Sequence, residues 1–270
     1  MKSAARCLAV ILVFALGVGL HVASASQVEL GLSIATFGRA GAGIADADGN
    51  DAAALNPAGL ALPWAFSNNK FVNQFGYMTD IDGDVDIDAY TYRGQKAGND
   101  WGIGAFYVDQ QYADVQGVGF GKSMTNNAFG ATVYQYDPSI GDETTFLDLG
   151  LSGGWAADRP WNLQYGFVIR DFSDQWDRRF DAGLAMDWPC GCECFVDVTD
   201  LGDVWDRRFR IGGTYGLGAL DISAGLNEGN PTAGLTYDGG IWSAGIGWAD
   251  AENSGDDDVI VGGVSLKVSF

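Results

Sequence analysis

Histidine is nearly absent from this chain: its 270 residues hold one, His21. That residue lies in an amino-terminal stretch built like a secretory leader, with Lys2 and Arg6 first, an apolar middle over 8–20, and Ala23-Ser24-Ala25 ahead of Ser26. With residues 1–25 read as a signal peptide, the mature chain has no imidazole. A Ser-His-Asp or Cys-His centre then cannot be built, so no catalytic residue and no cofactor is assigned and an enzyme is not expected. Basic charge is also scarce. Fifteen Lys and Arg face 35 Asp and Glu, a net charge of −20, and losing Lys2 and Arg6 with the leader makes it −22. So negative a chain repels a phosphate backbone, which excludes a nucleic-acid partner. Long apolar runs are missing too. The leader's own run is shorter than the ~20 residues a spanning helix needs and no later one exceeds it, so a membrane could be crossed only by strands.

What is abundant points one way. Forty glycines and 34 aromatics (nine Trp, ten Tyr, fifteen Phe) disfavour helix interiors and favour pleated surfaces, so the composition reads all-β. A mean hydropathy of +0.01 fits strands whose two faces cancel. Trp101, Ile103, Ala105 and Tyr107 alternate on one face. So do Trp161, Leu163, Tyr165, Phe167 and Ile169, opposed by Asn162, Gln164, Gly166 and Arg170. Phe180, Ala182, Leu184, Met186 and Trp188 span nine residues with an aromatic at each end, and Trp242, Ala244, Ile246 and Trp248 repeat this in short form. A tilted strand crosses a bilayer in ~9–11 residues between aromatic girdles. The string Asp171-Phe-Ser-Asp-Gln-Trp-Asp-Arg-Arg-Phe180 returns as Asp200-Leu-Gly-Asp-Val-Trp-Asp-Arg-Arg-Phe209, as expected of a hairpin array whose charges form a solvated or ion-paired rim. Turn signals at 94–99, 137–138, 158–160, 188–192, 229–231, 238–240 and 253–255 divide the chain into thirteen strands, with 115–122 as a further candidate. Strand numbers in bacterial single-chain barrels are even, so about fourteen is expected and twelve is the alternative.

Two segments carry less regular signals. Residues 80–88 alternate aspartate with Ile81, Val85 and Ile87. Val85 stands where a calcium loop needs glycine, so a strand with an acidic face is expected there, and Asp80, Asp82 and Asp84 are only weak metal candidates. Pro189-Cys190-Gly191-Cys192-Glu193-Cys194 holds the mature cysteines. In an exported chain Cys190, Cys192 and Cys194 suggest one local disulfide and one further thiol, with a thiolate metal site as the alternative.

Residues 259–270 end the sequence on an amphipathic strand. Ile260, Gly262, Val264, Leu266, Val268 and Phe270 share one face. This resembles the closing strand of a bacterial outer-membrane barrel, which implies recognition of Phe270 by the barrel-assembly machinery; an edge strand of a soluble sandwich is the other reading of the segment alone. The opening of the mature chain is more specific. It reads Gly38-Arg39-Ala40-Gly41-Ala42-Gly43, then Ala45-Asp46, then Asp51 before an alanine run, then Asn56-Pro57-Ala58-Gly59-Leu60. Asp51 suits a short helix start and Asn-Pro its stop. This string, with Leu220 to Leu235 later, resembles the FadL-type long-chain fatty-acid transporter superfamily, including its PorV-like secretion-associated barrels. The resemblance implies a closed antiparallel transmembrane β-barrel over 65–270 in the outer membrane of a Gram-negative envelope. It also implies a plug over 26–64 whose small residues pack inside the lumen. Gly38, Arg39, Gly41, Gly43, Asp46, Asn56, Pro57, Ala58 and Gly59 are the motif residues carried over.

Two functions follow from that resemblance. One is a passive transporter or channel for small hydrophobic molecules. The other is a PorV-like secretion or surface-assembly scaffold without transport. The partners expected are outer-membrane lipid, the assembly machinery, and either hydrophobic small molecules or a secretion-system component. A chain this short leaves little for long substrate-gathering loops, and transport is the reading preferred.

Overall fold

The computed structural model describes residues 32–47, 49–61, 71–82, 86–96, 100–155, 162–202, 207–250 and 258–269. Among these are fourteen strands: β1 (Phe71–Asp80), β2 (Ile87–Lys96), β3 (Trp101–Gln110), β4 (Ala113–Met124), β5 (Asn127–Pro138), β6 (Thr144–Trp155), β7 (Asn162–Arg170), β8 (Arg179–Trp188), β9 (Cys192–Thr199), β10 (Arg208–Leu217), β11 (Leu220–Asn227), β12 (Asn230–Asp238), β13 (Trp242–Ala249) and β14 (Val259–Ser269). Each pairs antiparallel with its neighbours in sequence, and β1 closes on β14 from Val72↔Ser269 to Asp80↔Val261. The result is a closed fourteen-stranded barrel of the transmembrane type. The candidate strand at 115–122 is β4, paired along its length with β3 and β5. Its pattern was faint because Gly117, Gly119 and Gly121 occupy the face that turns inward.

The oily faces read from the sequence point outward. Phe75, Ile103, Val118, Phe167, Leu184, Ile246 and Val264 are all exposed on the outer wall. Aromatics neighbour one another across strands there, as Tyr77 with Tyr90 and Tyr90 with Tyr107. Apolar surface left outside a closed sheet is stable only against hydrocarbon.

The barrel has two unlike ends. Connections of two or three residues, such as 125–126, 189–191, 218–219 and 239–241, lie at the end where β1 begins and β14 finishes. Connections 139–143, 171–178, 200–207 and 250–258 lie at the other, the loop end. Two expectations need correction. Residues 80–88 are not one strand: β1 stops at Asp80 and β2 starts at Ile87. The aspartates there repel, and one of them closes the sheet edge instead, since Ile260 N–H donates to Asp82 Oδ2 at 2.9 Å. Pro231 is not in a turn but second in β12; the turn is Glu228-Gly229, both at positive φ as a tight hairpin requires.

Residues 32–61 lie along the inner face of the wall and are almost wholly buried. Ser33 caps helix α1 (Ile34–Gly38) by accepting from Thr36 N–H. Ala40 and Gly41, both left-handed, end it. Helix α2 (Ala52–Leu55) follows Asp51 and stops at Asn56, as the Asn-Pro pair implies, before a 3-10 turn over Pro57–Ala61. Asp51 is not the side-chain cap: its carboxylate accepts from the Ser33 hydroxyl at 3.0 Å, tying the two helices together.

Candidate functional site

The 32–61 segment runs round the inside of the barrel as a belt. Helix α1 touches β11 to β14, and the 3-10 turn touches β2 to β6. Inward-facing glycines make the room. A Cβ on Gly130 would overlap the Pro57 carbonyl, and one on Gly212 the Arg39 carbonyl. Against β3 to β6 the fit is chiefly steric. Leu60 is fully buried beside Gly104, Gly119 and Gly121.

Inward polar side chains then fasten the belt. Thr132 Oγ1 donates to Ala53 O at 2.7 Å, Arg93 to Gly59 O at 3.0 Å and Thr232 Oγ1 to Gly38 O at 3.0 Å. Asp197 Oδ2 accepts from Gly43 N–H at 2.7 Å and Ile44 N–H at 3.0 Å, and the carboxylate is fully buried. Arg170 holds the carboxyl-terminal end of α2. It donates to Ala54 O at 2.8 Å and Leu55 O at 2.6 Å, and is itself held by Asp148 at 2.8 Å and Asp181 at 3.0 Å. These two carboxylates are used on both oxygens: Asp148 Oδ1 accepts from Asp171 N–H, and Asp181 Oδ1 from Asp200 N–H. Wall, belt and loops thus form one network.

The sequence-predicted motif residues fall into this arrangement. Gly38, Arg39, Gly41, Gly43, Asp46, Asn56, Pro57, Ala58 and Gly59 are all buried in the belt. Asn56 is the junction among them: its Nδ2 donates to Ile44 O at 2.7 Å and Ser152 Oγ at 3.0 Å, while its Oδ1 accepts from Ala58 N–H. Arg39 lies 4.1 Å over the Phe195 ring. Asp80 and Asp82 stand apart from the belt at the loop end; Asp84 and Phe270 lie outside the described residues. Cys190 is in the turn after β8, and Cys192 and Cys194 share the outward face of β9. The residues that fasten the belt, Arg170, Asp148, Asp181 and Asp197, had no site role in the sequence reading. Their signal was a charge opposite an apolar face, within the strand for Asp148, Asp181 and Asp197 and at the end of β7 for Arg170.

Above α2, towards the loop end, a chamber of about 100 Å³ opens. One side is aromatic. Phe106 neighbours Tyr134, which stacks on Phe146 at 5.1 Å, which meets Trp176 edge-on at 4.7 Å. This ladder runs from the half-exposed Trp176 of the 171–178 loop down to Phe106, buried beside the belt. The other side carries Arg170, Arg179 and Arg210 with Asp148 and Asp181. On the outer wall, across the β14–β1–β2–β3 seam, lies an apolar groove of about 710 Å³ that includes Phe75, Tyr92, Trp242 and Leu266. Phe106 of β3 borders both spaces, its ring on the chamber side, in a wall that is one strand thick throughout.

The loops above are twins, as the sequence repeat suggests. Asp171 and Asp200 both open their loop at positive φ, and Arg178 and Arg207 each return to a carbonyl of their own loop, Phe172 and Leu201. Burial alone would raise the Asp171 pKa. Donation from Trp176 N–H, Gln175 N–H and the Ser173 hydroxyl outweighs this and holds it below the ordinary carboxylate value. The rim is ion-paired through Arg178–Asp174, Arg179–Asp181 and Arg208–Glu228.

No protein-family model matches the chain, and no curated protein does. Solved structures match its course. The toluene transporter TodX of Pseudomonas putida aligns over 81% of this chain and 93% of its own, at 13% identity and a TM-score of 0.52. The CymD monoaromatic hydrocarbon channel and the toluene transporter TbuX of Ralstonia pickettii each align over 90% of this chain and 98% of their own. Their identities are 12% and 9%, and their TM-scores 0.56 and 0.55. The chain has the barrel fold of these proteins. The FadL-type resemblance read from residues 38–60 therefore holds at the level of fold.

Proposed function

We propose that this protein is an outer-membrane barrel and a passive, non-enzymatic channel for small hydrophobic molecules, with the segment over 26–64 as its plug. The observation that carries this reading is the position of Phe106. It ends an aromatic ladder that starts at the loop end, it touches the chamber over the plug, and it borders the apolar groove on the lipid-facing wall. A molecule with an apolar ring has a favourable surface at every stage, and only one strand separates the lumen from the bilayer. Longer connections mark the outward-facing end of such barrels, so the ladder faces the medium. The printed functions of TodX, TbuX and CymD support the same substrate class. Export through the 1–25 leader, and assembly through Phe270, fit that location.

The test is toluene uptake into proteoliposomes. Uptake above that of protein-free vesicles, altered when Phe106→Ala removes the lowest ring of the ladder, is the expected result. Uptake no faster than through empty membrane would sink the channel reading and leave the PorV-like scaffold.

A further inference from the structure

We infer that the chamber above α2 prefers single-ring molecules carrying a neutral hydroxyl, phenol being the simplest, over plain aromatic hydrocarbons, and that the Tyr134 hydroxyl makes the distinction. This names a substrate class for the proposed channel and rests on that reading only for how the ligand passes onward.

Size comes first. The chamber, about 100 Å³ and open on one side, is smaller than the roughly 150 Å³ apolar cavity that takes one benzene, so a single ring fits with its edge in the opening and a long acyl chain does not. Phe106, Val115 and Leu55 offer that ring an apolar surface. Charge comes second. Asp148 and Asp181 are engaged on both oxygens by Arg170 and by backbone amides, and Arg179 reaches the same Asp181 at 3.4 Å. A charged ligand would have to compete with these pairs, whereas a neutral one leaves them intact. Hydroxyls come third. On the inner face of β5, Thr132 gives its hydroxyl to Ala53 O. Tyr134, two residues on, lines the chamber with its ring stacked on Phe146, and among the described residues its hydroxyl has no hydrogen-bond partner. The charges that act on that hydroxyl include those of Asp148, Arg170 and Arg179, all in the chamber's wall, which places it where the aromatic and ionic sides meet. Water can serve it while no ligand is bound. Toluene would displace that water and leave the hydroxyl unsatisfied. Phenol has nearly the shape of toluene, is uncharged at pH 7 as a tyrosine side chain is, and puts a donor and an acceptor where toluene has a methyl group. Ring packing is then common to both ligands, and only phenol restores the lost bond.

Phenol and toluene therefore form the test pair. Their binding to the full-length barrel in detergent micelles at pH 7 is followed by saturation-transfer NMR titration, each against micelles without protein. Phenol is expected to bind about tenfold more tightly than toluene. Tyr134→Phe keeps the ring and removes the oxygen. It is expected to cost phenol about tenfold and toluene nothing; unheated gel mobility checks that the variant is a folded barrel. Phenol binding no more tightly than toluene, or not at all, would overturn the proposal with no variant needed, and so would phenol binding that Tyr134→Phe leaves unchanged. Equal losses for both compounds would overturn it too, since the hydroxyl would then only support packing. Toluene flux without a preference for phenol sinks this inference and spares the channel. A Tyr134-dependent preference for phenol without flux of either compound does the reverse.

Discussion

The belt meets two different walls. Where the belt crosses β3 to β6 it meets chiefly glycines of the inner face and is held mainly by shape, with Leu60 and Pro57 in the spaces that missing side chains leave. Along β7 to β10 the inner face carries Arg170, Asp181, Asp197 and Arg210, and the belt is held by charge and directed hydrogen bonds. Steric fit resists any displacement by a little. Buried ionic contacts resist only until a partner is lost, and then fail at once because a charge is stranded. The first wall seats the belt and the second latches it. Both the latch and the aromatic ladder border the chamber, so a ligand there would sit against the part of the belt that is easiest to release.

Four substitutions probe this difference. Arg170→Ala should have the largest effect, about 3–5 kcal/mol, because Asp148 and Asp181 are left buried without their shared cation. Proteolysis within 49–61 should become fast while the barrel persists; unchanged protection would mean that the latch is not ionic. Asp197→Ala comes next, at about 1–3 kcal/mol in all, as the Gly43 and Ile44 amides lose their acceptor. Its readout is maleimide labelling of a cysteine introduced at Ala45. Gly130→Leu attacks the steric wall and should cost about 1–3 kcal/mol by overpacking against Pro57, measured by urea unfolding in detergent. A cost equal to that of Arg170→Ala would erase the distinction. Thr132→Val removes one bond to Ala53 O on the same wall, about 1 kcal/mol in the same assay.

The smallest effect concerns pH. Asp171 is held below its unfolded pKa, so its contribution is complete above the unfolded value and is lost as pH falls through the folded one. Wild type should therefore lose order in the 171–178 loop on acidification, seen as a change in the environment of Trp176. Asp171→Asn should flatten that response, and an identical acid profile in the two proteins would count against the assignment.

Much of this was legible in the chain. Period-two alternation over 179–188, 242–249 and 259–269 sufficed for strands with an oily side, because strand geometry sends successive side chains to opposite faces whatever the neighbours. The Asn56-Pro57 pair marked the end of α2. Where glycine filled the inward positions of β4, or like charges crowded 80–88, the pattern weakened, since neither leaves a hydrophobic period to read. The belt's fasteners were hidden for another reason: each bond joins residues far apart in sequence, as Thr232 with Gly38 or Asp197 with Gly43. A lone mid-strand aspartate shows that something polar must face it, not what.

By itself, then, the sequence determined that these strands have a lipid side and a lumen side and that they form hairpins, since both follow from local geometry and the ordering of side chains. Only the tertiary structure decided that the lumen's glycines and its carboxylates grip the same thirty-residue belt, and that Phe106 stands between an inner chamber and an outer groove. Closing a barrel brings β1 beside β14 and sets every inward side chain against residues chosen from the whole chain, and no reading along the chain contains that choice.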